Sequence, residues 1–184
     1  ALVWFKTDLR LEDNETLVKA MLQSQEIIPV YCFDDSHFET TSYGFKKTGP
    51  LRAQFLLESL QDLDNNLRKL GSGLVLVNGK PEVEIPRIVE KYKAQKVFAK
   101  REVAFEERQT EKWVQEALFK VRCEFETLST STLYHAQDLP FSIKDIPDVF
   151  TNFRKRTEKD ASIRMPFEKP IQINSPELPE LNLP

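Results

Sequence analysis

Three charged side chains follow the first apolar run of the chain at alternate positions. Lys6, Asp8 and Arg10 come after residues 1–5, which are all apolar. A short run of this kind is typical of a strand buried on both faces of a parallel sheet. Because open α/β sheets bind ligands outside the carboxyl ends of their strands, these side chains are candidate ligand-binding residues. An alternative remains open, in which Asp8 and Arg10 pair with each other or with loop backbone and only hold the turn.

Arg52 is a further candidate because of its position in a predicted helix. The helix is predicted over residues 50–70, where leucines recur at the spacing of one helix face, Pro50 suits the first turn and Gly71 suits the end. A cation in the first turn opposes the helix dipole. Arg52 is therefore expected to have a partner, which could be an acidic side chain, a phosphate or an aromatic ligand.

Two adjacent carboxylates, Asp34 and Asp35, follow the second predicted strand, residues 27–33. Such a pair could bind a metal ion or a ribose. More often it caps a turn, and capping is the favoured interpretation.

The order of the predicted elements defines the fold class. Strands over residues 1–5, 27–33, 74–77, 96–99 and 123–128 alternate with four helices. This alternation implies parallel pairing with right-handed crossovers. The prediction is an α/β fold with a five-stranded, parallel, Rossmann-like sheet and helices on both faces. No G-x-G-x-x-G follows the first strand and no P-loop motif occurs, so the usual dinucleotide and P-loop sites are unsupported.

The pattern changes after Ser129, and prolines become frequent from Pro140 onward. The sequence predicts an α/β domain over residues 1–130, followed by an extended interdomain connector over residues 131–184 with one short helix. The last part of this connector cannot bury its own apolar residues. It is expected to lie on a partner surface or to be mobile.

Composition excludes several classes of protein. The net charge of −3 gives no global electrostatic case for nucleic-acid binding. No apolar run is long enough to span a bilayer, and no secretory signal is expected. Cys32 and Cys123 are predicted to be free, buried thiols, which fits an intracellular, reducing compartment. The two histidines, His37 and His135, have no cysteine or second histidine nearby in sequence, so no zinc site is expected.

Four stretches resemble the DNA photolyase and cryptochrome family. Residues 4–14 are similar to its opening signature, roughly W-F-R-x-D-L-R-x-x-D-N, with Lys6 where the family usually has arginine. Residues 49–63 resemble its second motif. Residues 99–107 look like the segment after the fourth strand in the DASH branch. Residues 145–155 are close to the DASH-type D-x-P-D-V-F-T-x-F-R-K.

The resemblance implies that a helical FAD-binding domain, absent from these 184 residues, follows as the partner of the α/β domain. The α/β domain would help to hold an antenna chromophore, with methenyltetrahydrofolate favoured over a deazaflavin. Glu106 is the best match for the carboxylate of the folate site, and Glu102 and Glu107 are its rivals. Phe105 stands where a small or polar residue is more usual. For all three glutamates, a solvated helix start that complements the dipole is an equal alternative.

The whole protein would then use FAD and blue light to repair cyclobutane pyrimidine dimers, mainly in single-stranded DNA, or to act as a photoreceptor. The present chain alone is expected to have no repair activity. The basic run of Arg154, Lys155 and Arg156 could assist contact with DNA, although interdomain packing explains it equally well. A different class also remains open, in which the domain stands alone or is fused differently and acts as a non-enzymatic ligand- or protein-binding module. A general nucleotide-binding protein ranks last, because no phosphate-binding loop is present.

Overall fold

The computed structural model describes residues 1–183. Its strands are β1 (Leu2–Phe5), β2 (Ile28–Phe33), β3 (Val75–Asn78), β4 (Lys96–Lys100) and β5 (Glu124–Leu128). Its α-helices are α1 (Glu15–Gln23), α2 (Pro50–Lys69), α3 (Pro81–Tyr92), α4 (Phe105–Lys120) and α5 (Phe150–Asp160). The strands and helices predicted from the sequence are all present, with ends shifted by one or two residues.

The strands pair in parallel, in the order β3-β2-β1-β4-β5. This order confirms the predicted α/β class and places β5 at an edge. The chain moves outward from β1 through β2 to β3, and then returns to place β4 on the other side of β1. The carboxyl ends of β1 and β4 therefore form a topological switch point, where open α/β sheets leave a crevice.

The continuous apolar run of β1 reflects burial on both faces of the sheet. Leu2 and Trp4 belong to the core layer that contains residues of α3 and α4. Val3 and Phe5 belong to the opposite layer, which contains residues of α1 and α2. All four side chains are buried. Two helices on each face thus complete the predicted three-layer arrangement.

Helix ends follow local chemistry. Asn14 caps α1, since its Oδ1 accepts a hydrogen bond from the backbone N of Leu17 at 3.0 Å. Pro50 is the first residue of α2, where a missing N–H costs nothing. Gly71 follows the end of α2 with a φ of +87°, a conformation that favours glycine. The predicted leucine stripe of α2 is buried through Leu60, Leu63 and Leu67.

The chain divides into two compact units. One combines residues 1–128 with the stretch that begins at Phe167, and the other comprises residues 129–166. Residues 161–183 form no helix or strand. The sequence placed all of residues 131–184 in the connector, whereas the structure returns the stretch after Pro166 to the α/β unit.

Backbone hydrogen bonds and one buried side chain explain this return. Ile173 is 1% exposed and lies in the core layer of α1 and α2. Its backbone N donates to the carbonyl of Leu70 at 2.8 Å, and the backbone N of Ile27 donates to the carbonyl of Asn174 at 2.8 Å. The hydroxyl of Ser175 donates to the carbonyl of Ile27 at 2.6 Å. The stretch around Ile173 therefore packs on the α/β unit of its own chain and not on a partner.

The second unit is organised around α5 and an aromatic cluster. The ring centroids of Phe141 and Phe153 are 5.6 Å apart, and Phe150 stacks on Phe153 at 6.2 Å. The guanidinium of Arg156 lies 4.8 Å from the centroid of Phe141, and its Nη2 donates to the carbonyl of Pro140 at 3.4 Å. These contacts fix α5 against the segment that precedes it.

Cys32 and Cys123 are free and buried, as predicted. Burial raises the pKa of both thiols, to about 11 for Cys123. Both are therefore weak nucleophiles at neutral pH. Within residues 1–183, no helix is both long enough and apolar enough to cross a bilayer.

Candidate functional site

A cleft of about 470 Å³ opens at the carboxyl ends of the central strands. Its lining residues come from the ends of β1 and β2, from the loops after β2 and β4, and from the N-terminal parts of α2 and α4. It therefore lies at the switch point between β1 and β4, where the fold leaves a crevice. Small-molecule sites typically enclose about 300–1,000 Å³, so the cleft has the size of a cofactor site.

Buried aromatic rings form the floor of the cleft. Trp4, Phe5 and Tyr31 line it and are all buried. Phe38 and the exposed Phe55 extend the apolar lining towards solvent. Burial raises the pKa of Tyr31 to about 12, so its phenol stays neutral. This floor can receive a flat, apolar ring system.

Lys6 lines the cleft, as the strand-end rule predicted. Its Nζ lies 2.7 Å from Oε1 of Glu111 on α4, and 4.9 Å from the centroid of the Trp4 ring. The other carboxylate oxygen of Glu111 accepts a hydrogen bond from Arg108. The positive charge of Lys6 is thus balanced by a buried carboxylate that the sequence did not single out.

Glu102 brings a second carboxylate to the same side of the cleft. Its Oε1 accepts a hydrogen bond from Oγ1 of Thr7 at 2.9 Å. The Thr7 hydroxyl in turn accepts a hydrogen bond from Nζ of Lys100 at 2.7 Å. The backbone N of Glu102 donates to Oε1 of Glu111 at 2.8 Å. The loops after β1 and β4 are thereby joined by a continuous polar network.

Glu106 and Glu107 line the cleft from the first turn of α4. Oε2 of Glu106 lies 3.4 Å from Nζ of Lys47, and the Glu106 side chain is 78% exposed. Lys47 belongs to the loop before α2, which the bridge between Thr40 and Lys46 closes on itself. Exposed ion pairs contribute about 0–1 kcal/mol, so a ligand N–H can replace the ammonium of Lys47 at this carboxylate.

Asp8 and Arg10 hold the loop after β1. The buried Asp8 accepts a hydrogen bond from the backbone N of Lys6 at 3.1 Å, and burial raises the pKa of its carboxyl. Nη2 of Arg10 donates to the carbonyl of Asp13 at 2.9 Å. The described chain places both residues outside the cleft lining. Of the two interpretations left open, the loop-holding one accounts for their contacts, and the cofactor-binding role is not supported by geometry.

Arg52 lines the cleft from the first turn of α2. It is exposed, and within residues 1–183 no hydrogen bond or ion pair involves its guanidinium. The charge of Arg52 opposes the rise in the pKa of Tyr31, but no acidic side chain among residues 1–183 pairs with it, so a phosphate or an aromatic ligand stays the expected partner.

Asp34 caps the turn after β2. Its Oδ1 accepts a hydrogen bond from the backbone N of Ser36 at 2.9 Å, which confirms the capping interpretation. Among the residues that the structure describes, no group of three or more His, Cys, Asp or Glu side chains is placed to hold a metal ion.

The basic run that could assist either DNA contact or interdomain packing lies on α5. Successive helical residues point about 100° apart, so these three side chains do not share one face. Nε of Arg154 lies 3.9 Å from Oε2 of Glu158, and Arg156 contacts Phe141 and Pro140. Lys155 is exposed. The geometry therefore does not gather the run into one phosphate-binding surface.

Sequence reasoning missed Glu111, and a signal for it exists. Glu111, Val114 and Leu118 are the buried residues of α4 and follow the spacing of one helix face. A glutamate within a buried apolar face needs a cationic partner. That rule would have pointed to a buried ion pair, although not to Lys6 as the partner. Lys47 was also missed, because its loop carries no periodic pattern.

Comparison with known proteins places this chain in a family. The DNA photolyase family profile matches residues 1–175, so the chain belongs to the DNA photolyase family. Within that family it is similar to the DASH cryptochromes. It is 41% identical over 181 residues to cryptochrome DASH of Gloeobacter violaceus, a match that covers 98% of this chain and 36% of the relative. It is 44% identical over 173 residues to cryptochrome DASH of Synechocystis sp., covering 94% of this chain and 35% of the relative.

A solved structure supports the same assignment. The crystal structure of the Synechocystis sp. cryptochrome superposes with a TM-score of 0.93 at 42% identity, and the match covers 100% of this chain and 39% of that one. The chain therefore spans about a third of the length of the curated relatives it matches. The expected kinship with the DASH branch and the expected fold are both confirmed.

Proposed function

We propose that the cleft is the antenna-chromophore site of a DASH-type cryptochrome, and that it binds methenyltetrahydrofolate in preference to a deazaflavin. The lining of the cleft carries this proposal, because a floor of buried aromatic rings lies beneath a polar rim with both charges. A folate offers matching parts, since its pterin ring is flat and carries N–H donors while its glutamate tail is anionic. The photolyase family binds FAD and antenna chromophores, and the resemblance assigns the antenna to the α/β domain.

Glu106 is the residue proposed to accept hydrogen bonds from the pterin N–H groups. Its exposed carboxylate already pairs with the ammonium of Lys47, which shows that it is accessible to a donor. Hydrogen bonds to a carboxylate are stronger than those between neutral groups. Arg52, whose guanidinium makes no hydrogen bond or ion pair within residues 1–183, is placed to attract the anionic part of the ligand, whereas Lys6 lines the cleft with its charge paired to Glu111. When bound, the chromophore absorbs light and passes the excitation energy to the flavin.

The whole protein is proposed to combine this domain with a helical flavin domain. It would use FAD and blue light to repair cyclobutane pyrimidine dimers, mainly in single-stranded DNA, or to act as a photoreceptor. In this proposal the α/β domain supplies excitation energy and the helical domain supplies the chemistry. DNA contact through Arg154, Lys155 and Arg156 stays a prediction. An intracellular, reducing compartment is also proposed, on the basis of the two free thiols.

The two tryptophans allow a direct binding experiment. Trp4 lies on the cleft floor, whereas Trp113 on α4 is 47% exposed. Trp113→Phe leaves Trp4 as the only indole in the chain. Titration of this variant with methenyltetrahydrofolate is expected to quench the emission saturably, with one ligand bound per chain.

Matched glutamine variants test the carboxylate. Glu106→Gln is expected to weaken folate binding roughly tenfold, the value of one hydrogen bond to a charged group. Glu107→Gln, one residue along the same helical turn, is expected to leave the Kd within about twofold. A larger rise in Kd for Glu107→Gln than for Glu106→Gln would transfer the role to Glu107. If neither substitution changes the Kd, a carboxylate contact from this turn is refuted.

Two further outcomes separate the alternatives. Binding of a deazaflavin without binding of the folate would overturn the choice of antenna and keep the site. Binding of neither chromophore would overturn the proposed function and favour the non-enzymatic module.

A further inference from the structure

Glu111 does not line the cleft, yet its carboxylate contacts two groups that do. It lies on α4, is 3% exposed, and accepts hydrogen bonds at both oxygens. Oε1 accepts from Nζ of Lys6 at 2.7 Å and from the backbone N of Glu102 at 2.8 Å, while Oε2 accepts from Nη1 of Arg108. Three donors from three segments of the chain therefore converge on one buried side chain.

Two of these donors lie on either side of the crevice. Lys6 follows β1 and Glu102 follows β4, and the carboxyl ends of those two strands form the switch point. A buried carboxylate is stable only while its hydrogen-bond partners stay in place. Glu111 therefore ties together the two loops on either side of the crevice.

The effect of Glu111 reaches the cleft surface through its partners. Holding Lys6 places its ammonium over the ring of Trp4. Holding the backbone of Glu102 places its side chain where it accepts from Thr7. Lys6, Trp4, Thr7 and Glu102 all line the cleft. One side chain outside the cleft thus fixes the polar groups on this side of it.

We propose that Glu111 is a positioning residue that presets the polar side of the cleft for its ligand. The effect on ligand binding rests on the proposed function, whereas the effect on the Glu102 loop does not. A purely structural ion pair would instead change global stability and leave the local geometry of the remaining fold unchanged.

Hydrogen exchange of the 184-residue chain, followed by NMR, tests the local effect without any ligand. Within residues 1–183, the Glu111 side chain is the only acceptor for the Glu102 amide. The wild-type Glu102 amide is therefore expected to be protected although it lies in a loop, and free exchange would overturn the proposal. Glu111→Met, which removes every acceptor at similar length, is expected to speed Glu102 exchange at least about tenfold relative to core amides such as that of Phe98. Equal acceleration of both amides would indicate a structural role only.

Two companion variants sharpen the result. Glu111→Gln keeps one acceptor oxygen and replaces Glu111→Met in the experiment if that variant does not fold. Its Glu102 amide is expected to exchange at a rate between those of the wild type and Glu111→Met. Glu116→Gln serves as the control, because Glu116 lies on the exposed side of the same helix.

The binding readout is the Kd for methenyltetrahydrofolate in the Trp113→Phe background. Glu111→Met is expected to raise the Kd at least about tenfold, and Glu116→Gln to leave it nearly unchanged. An unchanged Kd in Glu111→Met, with wild-type binding intact, would overturn the effect on the ligand. Failure of the wild-type chain to bind folate would count against the proposed function alone, since Glu102 exchange still decides whether Glu111 holds the loop.

Discussion

Ile173 offers a stringent test of how the final stretch of the chain is held. It lies in an extended segment without local structure, yet its side chain is buried in the layer of α1 and α2. Ile173→Ala removes three carbon atoms from that layer. At about 0.8 kcal/mol per buried methylene, the lost transfer free energy is roughly 2.4 kcal/mol. The cavity left behind adds to this, so the free energy of unfolding should fall by about 3–4 kcal/mol.

Urea denaturation, monitored by tryptophan emission, reports the unfolding of the α/β unit, since Trp4 and Trp113 both belong to it. A loss of 3–4 kcal/mol corresponds to a Tm lower by roughly 6–16 °C for a chain of this size. The matched control is Ile171→Ala, two residues earlier in the same segment, because Ile171 is 94% exposed. That control should change stability by less than about 0.5 kcal/mol. Equal stability of the two variants would refute the packing of this segment.

Three further substitutions test buried and paired carboxylates by urea midpoints. Asp8→Asn removes a carboxyl whose pKa is raised by burial above its ordinary value of 3.8, so the wild type loses stability as the pH rises above about 4. The stability of the variant relative to the wild type should therefore increase from about pH 4 upward. A stability difference that does not change with pH would contradict this. Glu126→Gln removes a carboxyl whose pKa is lowered by hydrogen bonds from two lysines, so about 0.5–1 kcal/mol should be lost at pH 7 and nothing in strong acid. Asp64→Ala leaves the buried Leu74 amide without its acceptor and should cost about 2–4 kcal/mol, whereas the exposed Asp62→Ala should cost little.

Local patterns decided most of the fold. The apolar run of β1 and the leucine stripe of α2 each predict an element and its buried face, because period and burial are linked within one segment. The burial of Ile173 could not be predicted in this way. Its partners, Leu70 and Ile27, are distant in sequence, and an extended segment without strand pairing carries no periodicity. The boundary predicted at residue 130 therefore left out the return of the chain to its first unit.

The site was predicted in part for a similar reason. The strand-end rule correctly brought Lys6 to the cleft, because β1 lies at the switch point. The same rule did not bring Arg10 to the cleft. The loop after β1 turns back within four residues, and the guanidinium of Arg10 donates to backbone carbonyls of that loop. Glu111 was missed because most helical glutamates are solvated. Only the tertiary placement of Lys6 turns this one into a buried ion pair.

The central claim is that the cleft between the ends of β1 and β4 binds the antenna chromophore. NMR mapping of amide shifts during titration of the 184-residue chain with methenyltetrahydrofolate tests it most directly. The predicted result is saturable shifts concentrated at Thr7, Glu102 and Glu107, with residues 129–166 unaffected. Absence of saturable shifts, or shifts confined to residues 129–166, would contradict the assignment of the cleft as the chromophore site.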